Sequence, residues 1–399
     1  MNDFIATHSD DDVSRLALQR SRFPHFTDEE WHWVLQQIEG RQRMRTKLPE
    51  IAAIDNWWWP VHLSLEQCSS EQTARYKSSL ISELNHPILI DITGGMGVDC
   101  YYMSAVCEHA YYIERDAELC RLAAHNYALT QRDIKVIHDT YSPTFDLTQV
   151  IGTERANSIV LYADPARRNQ QGGKVFKLED CEPDITAILP QWKQLIEGQE
   201  GIIMLKLSPM LDISAGLTGL EGLTGLEGWN VHVVAVKNEV KEVLLTYSTR
   251  QTSPHIEAVD LADGISFRFT QTEENQAESQ YAEQIGAYLY EPNAAILKAG
   301  AYKIIGQRMG VKKLGTNTHL YTSEQPVNGW PGRVFRVVEN SDKSNYKGLV
   351  CNVLTRNYVL GADALRKQLK VKDGGNLYVI GTRIGNKPVL IQGECISNH

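Results

Sequence analysis

A chain of 399 residues, 42% hydrophobic and 22% charged, is globular material long enough for two or three cores rather than one. It contains no apolar run of about 18 residues that could span a bilayer, and its acidic N-terminal stretch lacks the basic and apolar regions of a signal peptide. Seven cysteines without Cys-x-x-Cys pairs fit reduced thiols, so a soluble, cytoplasmic protein is expected. The net charge of −9 argues against a polyanion partner, but the charge is unevenly divided. Residues 295–399 hold 16 Lys and Arg against 6 Asp and Glu, and residues 1–294 hold 24 against 43. An acidic body with a basic C-terminal third suggests a nucleic-acid-docking module, or a basic domain that merely complements its acidic neighbour.

Residues 10–50 read as helices. Thr27-Asp28-Glu29-Glu30 is a helix start with acids in the first turn, followed by Trp31, Val34, Leu35 and Ile38 at helical spacing; Pro49 closes the region. Trp57-Trp58-Trp59-Pro60 is either a base-stacking platform or, more commonly for such a cluster, the packing of a small helical domain onto its neighbour. Glu71–Leu84 reads as a helix broken by His86-Pro87.

From there, strands and helices alternate. The pattern predicts strands at Ile88–Ile92, Ala110–Ile113, Ile134–Ile137, Ser158–Ala163, Gly201–Leu207, Val231–Lys237 and Glu242–Thr249. Helices are predicted at Val98–Val106, Ala117–Tyr127 and Ile185–Leu195. Short apolar strands between helices imply an α/β fold with a mostly parallel sheet covered on both faces. Two copies of Gly-Leu-Thr-Gly-Leu-Glu, residues 216–227, read as a connection lengthened by duplication. The polar run Thr270–Gln280 reads as a linker. Residues 281–323 mix helix and strand. Residues 333–396 are strand-rich (Arg333–Val338, Gly348–Asn352, Leu377–Arg383, Pro388–Glu394) around a helix at Ala362–Leu369.

A strand ending in Asp91, running into Thr93-Gly94-Gly95-Met96-Gly97 and opening a helix, is a nucleotide-site arrangement. Its glycines permit a tight turn and a close ligand approach, and the helix N-terminus offers free N–H groups. The spacing departs from the dinucleotide fingerprint, and Asp91 would repel a pyrophosphate while suiting a cationic, sulfonium-bearing ligand. Glu114 ends the second strand, placed to accept ribose hydroxyls, with Asp116 as a rival two residues on. Asp139 ends the third, placed to accept an adenine amino group. Each acid alone could be a solvated loop residue or helix cap; at successive strand ends they mark a ligand edge and point to S-adenosylmethionine. Asp164-Pro165 ends the fourth strand, where a carboxylate and a fixed turn can hold a target atom for displacement. Arg167 and Arg168 are candidates for substrate phosphates or for pairing with Glu179, Asp180 or Glu182. Lys206 ends the next strand as a substrate contact or a counter-charge to neighbouring acids. The 12 histidines do not cluster with cysteines at ligand spacing, so no metal site is expected.

The stretches Glu66–Lys77, Asp91–Asp99, Tyr112–Glu114, Tyr162–Arg168, Leu178–Pro183, Lys206–Ile213 and Val233–Glu239 resemble a bacterial family, common in Bacteroidetes. Its members join a Rossmann-like class I methyltransferase domain to a C-terminal THUMP-like domain. The resemblance implies a helical domain at 1–70, a methyltransferase domain at 71–270, a ferredoxin-like unit at 281–323 and a THUMP-like domain at 324–399. THUMP modules bind RNA, which implies methylation of tRNA or rRNA. Asp164-Pro165-Ala166-Arg167 also resembles the fourth motif of RNA 5-methyluridine methyltransferases. Their cysteine nucleophile has no counterpart at Leu207-Ser208-Pro209, so transfer through a covalent adduct is not expected. Ala166 cannot stack on a flipped base, leaving Tyr162 or a tryptophan of 57–59 for that role. The alternatives are a protein or small-molecule methyltransferase and a catalytically silent RNA-binding protein; an NAD-dependent oxidoreductase lacks a Tyr-x-x-x-Lys hydride-transfer pair.

Overall fold

A computed structural model describes residues 1–152, 157–167, 178, 181–210, 212–214, 217, 228–250, 253–339 and 346–398. The duplicated glycine-leucine connection and Arg168 lie outside or almost wholly outside the described residues. Two units are defined by their internal contacts, residues 1–229 with 244–252 and residues 230–243 with 253–399.

In the first unit, α1 (Asp28–Met44) starts where its acids predict. Thr27 accepts from the Glu30 N–H and the Glu30 carboxylate accepts from the Thr27 N–H, a reciprocal capping box. Its buried stripe of Trp31, Val34 and Ile38 packs with Leu16 and Phe26. Pro49 does not close the helical region but opens a short helix, Pro49–Ala52, because proline's missing N–H is needed by no partner at a first turn. The tryptophan run is held extended by two amides. Gln37 bonds both backbone groups of Trp59 at 2.6 and 3.1 Å, and Asn126 bonds both of Trp58 at 2.7 and 2.9 Å.

The sheet of this unit is built from β1 (Pro87–Asp91), β2 (His109–Glu114), β3 (Ile134–His138), β4 (Ser158–Ala163) and β5 (Glu200–Leu207). All four pairings among them are parallel, and β1 and β4 are buried along their whole length. That burial explains why these strands read as unbroken apolar runs. The strand order is β5-β4-β1-β2-β3, so direction along the sheet reverses between β1 and β4. A ligand crevice forms at such a switch point, outside the carboxyl ends of the strands. Helices α2 (Glu71–Ile81), α3 (Val98–Met103), α4 (Ala117–Ala128) and α5 (Ile185–Ile196) accompany the strands. Trp57, Trp59 and Leu65 share one core cluster with Leu89, Tyr101, Tyr112 and Val160.

The second unit contains β6 (Asn230–Val236), then β8 (Ile256–Asp260) parallel to it and β9 (Ile265–Phe269) antiparallel to β8; β7 is Glu239–Ser248. Nothing in the sequence reading anticipated β8, whose Glu257 and Asp260 are buried charges that mask its strand pattern. The polar run read as a linker is instead α6 (Gln271–Gln276), with a Thr270–Glu273 capping box. Its buried Glu274 accepts from the N–H groups of Lys303 and Ile304 at 3.0 Å. A seven-stranded sheet follows, made of β10 (Tyr288–Pro292), β11 (Lys312–Gly315), β12 (Thr318–Ser323), β13 (Gly332–Glu339), β14 (Asn352–Thr355), β15 (Leu377–Ile384) and β16 (Lys387–Asn398). The strand expected at Gly348–Asn352 begins only at Asn352, Val350 making an isolated bridge to Lys372. Antiparallel pairing of β10 with β13 makes one continuous sheet of what the sequence resolves as two small modules.

Candidate active site

The switch point opens into a cavity of ≈ 530 Å³ lined by Asp91–Asp99, Glu114, Asp139, Asp164 and Lys206, with Cys68, Ser69 and Tyr162 among its other walls. That volume lies within the range of small-molecule sites. The candidate residues named from sequence line this cavity, apart from Pro165 and the two arginines. Arg167 lies in a short strand that pairs with Cys181, and its side chain, like Arg168, is outside what the structure describes.

The glycine turn is shaped by protein packing. A Cβ on Gly94 would stand 2.3 Å from the Tyr112 ring, and one on Gly97 would stand 2.1 Å from the Tyr127 hydroxyl. Gly95, at φ +56°, would meet nothing closer than the Thr93 carbonyl at 3.7 Å. Gly94 and Gly97 thus seat the turn on β2 and α4, and Gly95 and Gly97, at φ +56° and +80°, supply its left-handed backbone. Tyr112 and Tyr127 fasten the turn by donating to the carbonyls of Gly95 (2.5 Å) and Gly97 (3.0 Å).

Glu114 accepts from the Gly95 N–H at 2.7 Å and the Asp116 N–H at 2.9 Å. Asp116, its rival, is the N-cap of α4, accepting from Glu118 and Leu119, and does not line the cavity. Asp139 is exposed at the rim and accepts from the Thr140 N–H at 2.7 Å. Asp91 is 1% exposed and accepts from the Thr93 N–H at 3.0 Å. Burial raises its pKa to about 8, and the charges of Asp99 and Asp164 add to the effect. Thr93 in turn accepts from the Asp164 N–H at 2.7 Å, tying the end of β4 to the glycine turn.

Behind Asp164 stands a charged cluster that no sequence motif announces. Lys206 stands 2.5 Å from Asp164 Oδ2 and 3.9 Å from Asp99 Oδ2. Lys77, whose side chain is fully buried, lies 3.2 Å from Asp99 Oδ1, and Ser69 and Tyr162 donate to Asp99 Oδ2 at 2.8 and 2.6 Å. Burial pushes the Asp99 carboxyl up, but the two lysines and the hydroxyl hydrogen bonds outweigh it and hold the group below its ordinary range. Lys206 thus pairs with Asp164 while lining the cavity. The signal that could have found this cluster is the helical spacing of Lys77 with the buried Ala74 and Ile81. Tyr162 is buried with its hydroxyl on Asp99, Trp57 and Trp59 are core residues, and Trp58 is stacked on His125 at 3.5 Å. Of the aromatics considered for base stacking, Tyr162 lines the cavity and the three tryptophans do not. Among the described residues, no three His, Cys, Asp or Glu side chains could together hold a metal ion.

A parallel sheet with a glycine turn at its switch point and acids at successive strand ends defines the α/β class of enzymes that bind a nucleoside-bearing cofactor. A model for a ferredoxin-like domain matches residues 288–331, and one described as THUMP domain-like matches residues 332–394. The solved "putative methyltransferase from Porphyromonas gingivalis W83" is 32% identical, with a TM-score of 0.81 over 99% of this chain and 97% of that one. The chain belongs to the family of that protein and is a methyltransferase. Two Mycobacterium tuberculosis proteins, each named an "uncharacterized S-adenosylmethionine-dependent methyltransferase", are 21% identical over 367 residues, covering 88% of this chain and 93% of theirs.

Proposed function

We propose that this chain transfers the methyl group of S-adenosylmethionine to RNA, tRNA or rRNA, directly and without a cysteine adduct. The observation that carries the cofactor assignment is Glu114, which accepts from the Gly95 N–H at 2.7 Å at the end of β2 while lining the same cavity as Asp91 and Asp139. In this reading Glu114 takes the ribose hydroxyls, Asp139 the adenine amino group, and Asp91 faces the cationic methionine portion. Thr93, Gly94, Gly95 and Gly97 form the turn beneath. When bound, the cofactor supplies an already activated methyl group, so the protein's part is to position the acceptor and take its proton. Asp164, fixed by Lys206 and by Pro165, is placed for that task, with Arg167 and Arg168 assigned to the substrate backbone.

RNA as acceptor is favoured by the THUMP domain-like match and by the 16 basic against 6 acidic residues of positions 295–399. Residues 1–70 are read as the helical entry to the methyltransferase domain, 71–270 as that domain, and 281–323 and 324–399 as the C-terminal modules. Among the described residues no helix is long and apolar enough to cross a membrane, which suits a cytoplasmic enzyme.

Calorimetry with adenosylhomocysteine tests the cofactor assignment. Glu114→Ala should weaken binding by roughly 10- to 100-fold, the value of a hydrogen bond to a charged group; equal binding by variant and wild type would sink it. Comparison of modified nucleosides by mass spectrometry, in RNA from cells with and without the gene, tests the substrate.

A further inference from the structure

Charges alternate in sign from the interior of α2 to the cavity: Lys77, Asp99, Lys206, Asp164. Side-chain exposure rises along that series, from 0% at Lys77 through 10% and 12% to 40% at Asp164. Asp99 lies between two lysines, and its Oδ2 already receives Tyr162 and Ser69. Lys206 is nearer to Asp164 than to Asp99, 2.5 Å against 3.9 Å. Removing two charges from water costs more than an ion pair usually returns, so a wholly buried lysine facing an acid is poor evidence of added stability. Its position asks for another role.

We propose that Lys77 is a positioning residue: by matching the charge of Asp99 from within the core, it leaves Lys206 to hold the Asp164 carboxylate at the cavity edge. Without the Lys77 charge, Asp99 would remain a buried anion with Lys206 as its cation among the described residues. Lys206 would close the 3.9 Å gap and leave Asp164. The carboxylate that meets the methyl acceptor would then lose the cation that orients it. An acceptor bearing a hydrogen, an amine or a hydroxyl group, is the substrate chemistry such a fixed anion suits, since it can take up the proton released on methylation. The inference rests on Asp164 being the acceptor-side carboxylate, as proposed above.

The test follows the Asp164 carboxyl by carbon-13 NMR in the full chain saturated with adenosylhomocysteine, the resonance being assigned by its loss in Asp164→Asn. The charged groups near that carboxyl include Lys206 on β5 and Asp91 on β1, with Asp99 on α3 beyond Lys206 and Lys77 behind Asp99. Lys206→Met removes the adjacent cation and should shift the Asp164 resonance directly. Lys77→Met should shift it in the same direction, although Lys77 does not line the cavity, and Lys77→Arg should leave it unmoved. Adding Asp99→Asn to Lys77→Met removes the competing anion and should return the resonance to its wild-type position, which loosened packing alone would not do. Where the methionine variant does not fold, Lys77→Gln, which keeps a donor and drops the charge, takes its place. An unmoved resonance in the single variant, or no return in the double variant, overturns the proposal. A wild-type chain that fails to bind adenosylhomocysteine instead overturns the cofactor assignment, and the same spectra of the unliganded chain still decide the role of Lys77.

Discussion

Asp91 carries the clearest pH signature in the molecule. Its pKa, raised to about 8 by burial, means that the group is largely protonated at neutral pH. A cationic ligand group favours the ionised form, so affinity for S-adenosylmethionine should increase as pH rises toward about 8, with a proton released on binding. Asp91→Asn should flatten that dependence, as calorimetry across pH would register. Folding responds with the opposite sign. A carboxyl whose folded pKa lies above its unfolded value is a destabilising element that grows as pH rises from about 4 to about 8 and then levels off. The melting temperature of Asp91→Asn should therefore gain on that of the wild type over this interval, and parallel melting curves would refute the assignment. Asp91 was legible as a site residue because it ends a strand at a glycine turn. Its altered proton affinity was not, since that depends first on burial in the assembled sheet and then on Asp99 and Asp164 arriving beside it from other elements.

At the scale of elements, the glycine turn separates two kinds of constraint. Gly94→Ala drives a Cβ to 2.3 Å from the Tyr112 ring, and overpacking of this kind costs about 1–3 kcal/mol. Gly95→Ala meets open space and is opposed by its φ of +56°, a strain of roughly 1 kcal/mol. Denaturant titration should rank Gly94→Ala as the less stable, and the reverse order would mean that the turn is not seated on β2 as described. From sequence these glycines allow a tight turn and a close ligand approach; the tyrosines beneath two of them add a packing reason that no local pattern carries. The tryptophan run is held similarly. Asn126→Ala would strip both backbone bonds from Trp58, and each buried group left unpaired costs about 1–3 kcal/mol, a loss that the same titration would register.

For the whole molecule, the charge division sets the expected behaviour toward RNA. Binding of bulk tRNA or rRNA by the full chain should be salt-dependent. With about three phosphates neutralised, affinity should drop roughly tenfold or more between about 50 and 200 mM salt. A flat salt response would favour the protein or small-molecule alternative. The pairing of β10 with β13 makes the ferredoxin-like and THUMP-like segments parts of one sheet, so deletions that separate them near residue 331 should unfold both.

The sequence by itself determined the parallel α/β core, the glycine turn and the acids at the strand ends. Each is a local signal, an apolar run of strand length or a residue type at an element's end, that survives without its neighbours. It also carried enough of the family's pattern to imply the C-terminal modules. Tertiary structure decided the rest. It gave Glu114 the cavity and Asp116 the cap of α4, and it put Trp57 and Trp59 into the core. It made Gln271–Gln276 of the Thr270–Gln280 run a capped helix and gathered Lys77, Asp99, Lys206 and Asp164 into one series from the core to the cavity. Those outcomes depend on distances between residues far apart in the chain, and electrostatics and packing act on distance, whereas a sequence records only order.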